Sequence, residues 1–161
     1  MSAEPTHIRV LRMPDDPAWT QLPDLFRTMY AEMARHGVLL PLARDGEHIW
    51  VKGAMVGAEK FGRTVVLEDG EGIHGFAHGA LKMAPEHLGG VLLGQVTHVH
   101  VGPLHRRSGH GERLFRVLEE WFQERKVSRI ELHVVAGNEG AVAFWKELGF
   151  DIDLVQMFRS A

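Results

Sequence analysis

The strongest pattern of apolar and polar positions lies in the second half of the chain, over residues 96–122. Residues 96–101 alternate between valine and polar side chains, which predicts a half-buried β-strand that ends at Gly102 and Pro103. Farther along, apolar residues at helical spacing predict one buried helix face, made of Leu114, Phe115, Leu118, Trp121 and Phe122. A strand therefore leads through a glycine-containing turn into a helix.

The same two periodicities predict the other elements. Alternating segments predict strands over residues 7–13, 64–68, 72–82, 129–135 and 150–158. Asp69 and Gly70 form a hairpin turn between two of them. Helical spacing predicts a helix that starts near Pro23 and ends near Gly37, and helices over residues 47–61 and 138–148. The predicted order is β-α-α-β-β-β-α-β-α-β, in one α/β domain spanning residues 1–161.

Composition narrows the class of protein. The chain has 161 residues, enough for one hydrophobic core, with 18 basic and 21 acidic side chains and a formal charge of −3. A net acidic chain argues against a nucleic-acid partner. Cysteine is absent, so no disulfide and no cysteine nucleophile is available. No stretch approaches the about 20 apolar residues of a membrane span, and the N-terminus lacks signal-peptide features, so we expect a cytoplasmic protein without a membrane partner.

The turn between the strand and the helix has the chemistry of an anion site. It carries two arginines and two glycines, in the segment Arg106-Arg107-Ser108-Gly109-His110-Gly111. The first N–H groups of a helix have no internal partner and the helix dipole is positive there, so a phosphate is stabilised at such a turn. Glycines let the phosphate approach the main chain, and arginines add forked donors. The segment differs from GxxxxGK(S/T) and from GxGxxG, which leaves a plain glycine turn as the alternative.

Two motifs resemble the signatures of one enzyme family. Arg106-x-x-Gly109-x-Gly111 matches the pattern Q/R-x-x-G-x-G/A. The segment from Asn138 to Phe150, which begins 32 residues after Arg106, is similar to NxxAxxxYxxxGF. In this order and separation, the two motifs resemble the GNAT family of N-acetyltransferases. The resemblance implies a central mixed, mostly antiparallel sheet with helices on both faces, the architecture that periodicity also predicts.

The resemblance implies an acyl-CoA donor. It places the pyrophosphate of acetyl-CoA on the turn residues Arg106, Arg107, Ser108, Gly109, His110 and Gly111. It also implies that the pantetheine arm is bonded to the main chain of Val99 and Val101 and reaches Asn138, with Phe144 and Trp145 beside it. The family's tyrosine, often its general acid, is replaced here by Trp145, whose indole N–H is a poor acid. Tyrosine acid catalysis is therefore not carried over.

The histidines are candidates for the base that removes a proton from the acceptor amine. An amine of the lysine type has a pKa of about 10.4 and must lose a proton before it attacks. His98 and His100 lie two residues apart on the predicted strand and so point to one face. An ordinary histidine pKa of about 6.5 suits proton transfer near neutral pH, so we assign both as candidate catalytic residues. The alternative is that they are polar groups on a half-exposed sheet face.

The acceptor cleft is less well defined by the sequence. The resemblance places one wall of it on the first two helices and their connecting loop, where the acceptor-site candidates are Tyr30, Leu40 and Trp50, with Met33 and Leu39 near them. His74 and His78 alternate on the preceding strand and are further candidates.

A zinc-type site is an alternative use of the histidines. Four histidines on two paired strands, with Glu131 and His133 on the strand beyond, offer suitable ligand atoms. No metal motif of fixed spacing such as HExxH is present, and we expect no metal.

These patterns favour an acetyl-CoA-dependent N-acetyltransferase. It would transfer an acetyl group to a primary amine, of a small molecule or of a peptide, by direct attack in a ternary complex. The alternative comes from another class: a non-catalytic or regulatory acyl-CoA-binding module that has lost the tyrosine acid. The short predicted last strand leaves a sheet edge to be covered, so we expect a homodimer rather than a monomer.

Overall fold

The computed structural model describes residues 4–37 and 40–161. In these residues, five strands form one sheet in the order in which they occur along the chain. They are β1 (His7–Leu11), β2 (Gly62–Asp69), β3 (Gly72–Met83), β4 (Leu92–Val101) and β5 (Ile130–Leu132). Neighbours among the first four are antiparallel and β5 is parallel to β4, which confirms the mixed, mostly antiparallel sheet.

Helices cover both faces of this sheet. In the described part of the chain they are α1 (Leu22–Ala34), α2 (Gly46–Val56), α3 (His110–Glu124) and α4 (Glu139–Glu147). Short 3-10 turns precede α1 (Pro17–Thr20) and α3 (Pro103–His105). Pro23 lies in the first turn of α1, where its missing N–H costs no helical hydrogen bond. None of these helices has the length and apolar character that crossing a membrane requires.

Alternation along β2 divides the core into two layers. Val66 packs with α1 and α2, whereas its neighbours Val65 and Leu67 pack with α3. The first layer includes Leu11, Trp19, Leu22, Phe26, Met29, Val51 and Phe76. The second includes Val96, Leu114, Phe115, Leu118, Trp121 and Phe122. The apolar face predicted for α3 is confirmed, because its five residues are all buried in this second layer.

The predicted last strand is wrong. Residues 151–161 form no strand, and all of them are exposed, so the observed order lacks the final β element. Apolar residues such as Ile152 and Leu154 alternate there, but a strand also requires a neighbouring edge that supplies its main-chain hydrogen bonds. An ion pair between Arg129 and Asp153, at 2.6 Å, ties the start of this segment to the residue before β5.

Several predicted boundaries also move, and the strand predicted over residues 129–135 shortens to Ile130–Leu132. Helix α2 ends at Val56 rather than at residue 61, because Gly57 closes the helix and Glu59 adopts a left-handed φ of 70°. Strand β4 begins at Leu92 rather than at Val96, because its first residues pair with the end of β3. The other end of β4 matters for the site, since residues 97–101 extend past the short strand β5.

Candidate active site

A cleft opens where β4 and β5 separate. The two strands pair over three positions, from Gly94 with Ile130 to Val96 with Leu132, and β4 then continues alone to Val101. Beyond that point lies a cavity of about 970 Å³. Its walls are residues 97–101 of β4, the turn before α3, helix α4 with the segment that leads to it, and the C-terminal half of α1.

The edge of β4 in this cleft offers main-chain groups. On its other edge, Gly102 donates its N–H to the His74 carbonyl at 2.7 Å, and His100 lies opposite Phe76. Because antiparallel neighbours alternate, the intervening residues Val99 and Val101 direct their N–H and C=O groups away from β3 and toward the cleft. An extended ligand that carries amides can bind such an edge as an added strand.

A β-bulge turns this part of β4. His98 lies opposite His78 and Val96 opposite Gly79, so Thr97 is an extra residue on β4. The Thr97 hydroxyl donates to the His78 carbonyl at 3.0 Å and holds the bulge in place. A bulge bends its strand and increases the local twist, which accounts for the departure of β4 from β5 at this point.

The turn before α3 forms the anion end of the cleft. Gly109 occupies the N-cap with a left-handed φ of 76°, a conformation that favours glycine. The first helical hydrogen bond of α3 is made by Arg113, which donates its N–H to the Gly109 carbonyl at 3.1 Å. The N–H groups of His110, Gly111 and Glu112 therefore precede the helical hydrogen-bond ladder, as the anion-site hypothesis requires.

Arg106 has a different environment from that expected of a phosphate ligand. Its Nε donates to the Val101 carbonyl at 2.7 Å, and its Nη2 pairs with Glu32 of α1 at 2.6 Å. The guanidinium thus links the turn, the end of β4 and the α1 wall. Arg107 and Ser108 are exposed beside it, and Arg107 adopts a left-handed φ of 63°.

His98 and His100 point into the layer between the sheet and α1, and both also line the cleft. The His98 ring packs at 5.0 Å from Trp50 and 5.2 Å from Phe26. His100 is 5% exposed, and its Nε2 has no hydrogen-bond partner among the described residues. Burial lowers the pKa of each imidazole to about 4, against the expected value of about 6.5. For His100, the Glu32 carboxylate opposes part of this effect.

Helix α4 supplies the opposite wall. Asn138 caps it, accepting the Ala141 N–H on its side-chain oxygen at 3.1 Å. Trp145 is 9% exposed and packs edge-on against Phe115 and Phe150, each at 5.4 Å, and against Phe144 at 4.9 Å. At the position of the family's tyrosine, the indole is therefore a packing group whose edge reaches the cleft.

A comparison with protein-family models identifies this arrangement. The model described as the acetyltransferase (GNAT) family matches residues 19–150, well over half of the chain. The chain belongs to the GNAT family. The match includes the turn at Gly109 and the helix that carries Trp145, so both resembling motifs lie inside it. No curated protein matches the sequence.

Solved structures share the GNAT fold at low identity. An aminoglycoside acetyltransferase from an uncultured soil metagenomic sample is 17% identical, with a TM-score of 0.71, over 97% of this chain and 96% of that one. A ribosomal-protein-alanine N-acetyltransferase from Brucella melitensis biovar Abortus 2308 is 18% identical, with a TM-score of 0.68, over 98% and 99%. The aminoglycoside N-acetyltransferase AAC(6')-Iy, in complex with CoA, is 12% identical, with a TM-score of 0.72, over 99% and 97%.

The acceptor candidates of this GNAT chain are scattered. Trp50 packs in the core against His98 and His78, and His78 lies behind the cleft with its Nδ1 at 2.8 Å from the Thr64 hydroxyl. None of Tyr30, Leu40, Trp50, His74 and His78 lines the described cleft, whereas Met33 does. The Tyr30 hydroxyl donates to the carbonyl of Leu40, whose side chain is 86% exposed. Leu39 lies outside the described residues.

Sequence reasoning missed Glu32 in this GNAT site. Glu32 lies on α1 with its side chain 26% exposed, lines the cleft, and is paired with Arg106. Met29, His36 and Val135 also line it. The amphipathic pattern of α1 assigns polar residues such as Glu32 to its solvent face, so no local signal distinguishes a glutamate that faces a cleft from one that faces water.

Proposed function

We propose that this GNAT chain is an acetyl-CoA-dependent N-acetyltransferase that acts on a primary amine by direct attack in a ternary complex. The observation that carries the proposal is the continuity of one cleft. Its open β4 edge, at Val99 and Val101, runs to the free N–H groups at the start of α3. An amide-bearing arm joined to a pyrophosphate matches both features, and the fold neighbour AAC(6')-Iy was solved in complex with CoA.

In this proposal the donor occupies the β4–α4 side. The pyrophosphate binds the main chain from Gly109 to Gly111, with Arg107, Ser108 and His110 around it. The pantetheine amides bond to Val99 and to the N–H of Val101, because the Val101 carbonyl is already engaged by Arg106. Phe144 and Trp145 line the arm, and Asn138 keeps its side-chain NH₂ for the ligand, because its oxygen caps α4.

The acceptor enters from the α1 side. Glu32 provides negative charge at the cleft and attracts an ammonium group, which is the dominant form of a primary amine at pH 7. The two aminoglycoside enzymes and the ribosomal-protein enzyme among the fold neighbours are named for amine-bearing substrates, so a small-molecule or a peptide amine fits equally well.

The lowered histidine pKa limits the proton route. Moving a proton directly from an amine of pKa about 10.4 to an imidazole of pKa about 4 is uphill by roughly 9 kcal/mol. We therefore propose that His100 acts as a neutral acceptor. Its Nε2, buried and without a partner among the described residues, holds a water that passes the amine proton to solvent. His98 positions the bulge, since its Nδ1 lies 3.0 Å from the Thr97 hydroxyl.

A specific observation favours the second candidate, an acyl-CoA-binding module without turnover. Trp145 replaces the tyrosine and is held in an aromatic cluster, so no phenol reaches the thioester from α4. The module needs the same donor contacts and none on the acceptor side. Turnover separates the two functions.

The test combines donor binding with turnover. Calorimetry should show CoA binding, and acetyl-CoA mixed with a panel of amines should release free thiol. His100→Gln should lower kcat by about 100-fold or more while CoA affinity stays within about twofold, since the strand's main chain holds the arm. His87→Gln, in an exposed turn away from the cleft, is the matched control. Binding without turnover for any amine favours the module, and absence of both refutes both functions.

A further inference from the structure

Three side chains from separate segments meet at the hairpin end of β3, beside the cleft, whose lining includes one of them, His105. Asp69 ends β2, His74 lies near the start of β3, and His105 ends the 3-10 turn before Arg106. Each contributes one ligand atom, and these atoms all lie within 4.8 Å of one another. Across residues 4–37 and 40–161, this is the one group of three or more histidine and acidic side chains that is spaced to hold a metal ion.

Hydrogen bonding alone does not account for this cluster. His74 Nε2 lies 2.7 Å from Asp69 Oδ1, yet the contact is misaligned: the buried Nε2 has no hydrogen bond of acceptable geometry among the described residues. The His74 and His105 rings stack with centroids 4.0 Å apart at 16°. The stack brings a nitrogen of each ring close to the Asp69 carboxylate.

The donor set suits a divalent transition metal. Two imidazole nitrogens and one carboxylate oxygen match the preference of zinc-like ions, and three protein ligands leave a position open for water or another ligand. A ligand carboxylate must be ionised, which is the usual state of an aspartate near neutral pH. All three residues are partly buried, so an ion here would be shielded on several sides yet reachable from solvent.

We propose that Asp69, His74 and His105 form a binding site for a divalent transition-metal ion of the zinc class. Its predicted effect on the fold follows from where the ligands lie. His105 directly precedes Arg106, so an ion held by Asp69 and His74 ties the turn before α3 to the β2–β3 hairpin. The site is thus a structural clamp on the segment that precedes Gly109. The metal proposal is independent of the acceptor and of turnover.

This site differs from the zinc-type site that the sequence suggested, which used four histidines on two paired strands. Of the four strand histidines, only His74 takes part. His78 is bonded to Thr64, while His98 and His100 lie at the cleft in an apolar layer. The second histidine comes instead from the β4–α3 connection, which strand periodicity could not place next to His74.

The experiment uses the full chain after treatment with a chelator. Calorimetric titration with Zn²⁺ should show one tight site, and Co²⁺ should give visible absorption bands of a low-coordinate complex. His105→Ala, in the turn before α3, should weaken Zn²⁺ by at least about tenfold, because loss of a direct ligand should cost no less than loss of a supporting contact. Asp69→Asn and His74→Ala should do the same, and His87→Ala, an exposed histidine outside the cluster, should leave binding unchanged.

The clamp has its own readout. Zn²⁺ should raise the melting temperature of the wild-type chain but not of the His105→Ala chain, and should tighten CoA binding to the wild type. Absence of a one-to-one Zn²⁺ site, or a site equally strong in all three variants, overturns the proposal. Zn²⁺ binding at the site with unchanged melting temperature and CoA affinity overturns the clamp. Since Zn²⁺ binding is measured without acyl donor or amine, failure of the proposed enzymatic function leaves this test intact.

Discussion

Acidification should destabilise this protein through His78, His98 and His100. Burial lowers the pKa of each from 6.5 to about 4 in the folded chain, whereas each titrates near 6.5 when unfolded. Between these values the unfolded state binds protons that the folded state does not. The free energy of unfolding is therefore fully retained above pH 6.5 and falls as the pH drops from about 6.5 toward 4.

The magnitude follows from the size of the shift. Each pH unit in that window costs about 1.4 kcal/mol per histidine. At pH 5.5 the three histidines together should lower the free energy of unfolding by about 4 kcal/mol relative to its value at pH 7.5. Single domains are typically stable by only about 5–15 kcal/mol, so mild acid should bring this protein close to unfolding. Removing one of the three should reduce the pH-dependent loss by about a third.

Urea unfolding followed by tryptophan fluorescence at pH 7.5, 6.5 and 5.5 measures this loss. His78→Gln removes one titrating ring and keeps a polar group beside Thr64. His87→Gln, at an exposed position, is the control and should show the wild-type pH dependence. Unfolding free energies that stay constant from pH 7.5 to 5.5 would refute the reasoning. A His78→Gln protein whose free energy of unfolding changes with pH as steeply as that of the wild type would refute it as well.

Further predictions address the donor turn, the acceptor wall, the acid and the assembly. Gly109→Val forces a β-branched residue into a φ of 76° and should weaken CoA by more than about tenfold in calorimetry, whereas Gly89→Val, equally left-handed at 91° but remote, should not. Glu32→Gln should raise KM for the amine and leave CoA affinity unchanged, and an unaltered KM would remove Glu32 from the acceptor site. Trp145→Tyr should raise kcat if acid catalysis limits the rate, and an unchanged kcat would show that another step does. Sedimentation should give about twice 18.1 kDa, with a fall to the monomer on deletion of the exposed apolar segment 151–161, and a monomeric intact chain would contradict the proposed homodimer.

Local patterns account for much of the fold. Five apolar residues at helical spacing placed the buried face of α3, and Asp69-Gly70 placed the β2–β3 hairpin. The glycines at positions 109 and 111 indicated a turn that leaves the main chain accessible, and the structure adds that Gly109 is a left-handed N-cap. The same type of signal failed for residues 151–161, where alternation was present and a partner edge was not. Periodicity reports which face is apolar, and it does not report whether a neighbouring strand exists.

The sequence by itself determined the order of the elements as far as α4, the two-sided core and the glycine turn before α3, because each depends on residues within a few positions of one another. The tertiary structure decided which polar groups meet. Glu32 reaches Arg106 across 74 residues, and His105 stacks on His74 from a different segment. It also decided the state of the histidines, because a pKa depends on how much water and which charges surround the ring, and that is fixed only when distant segments pack together.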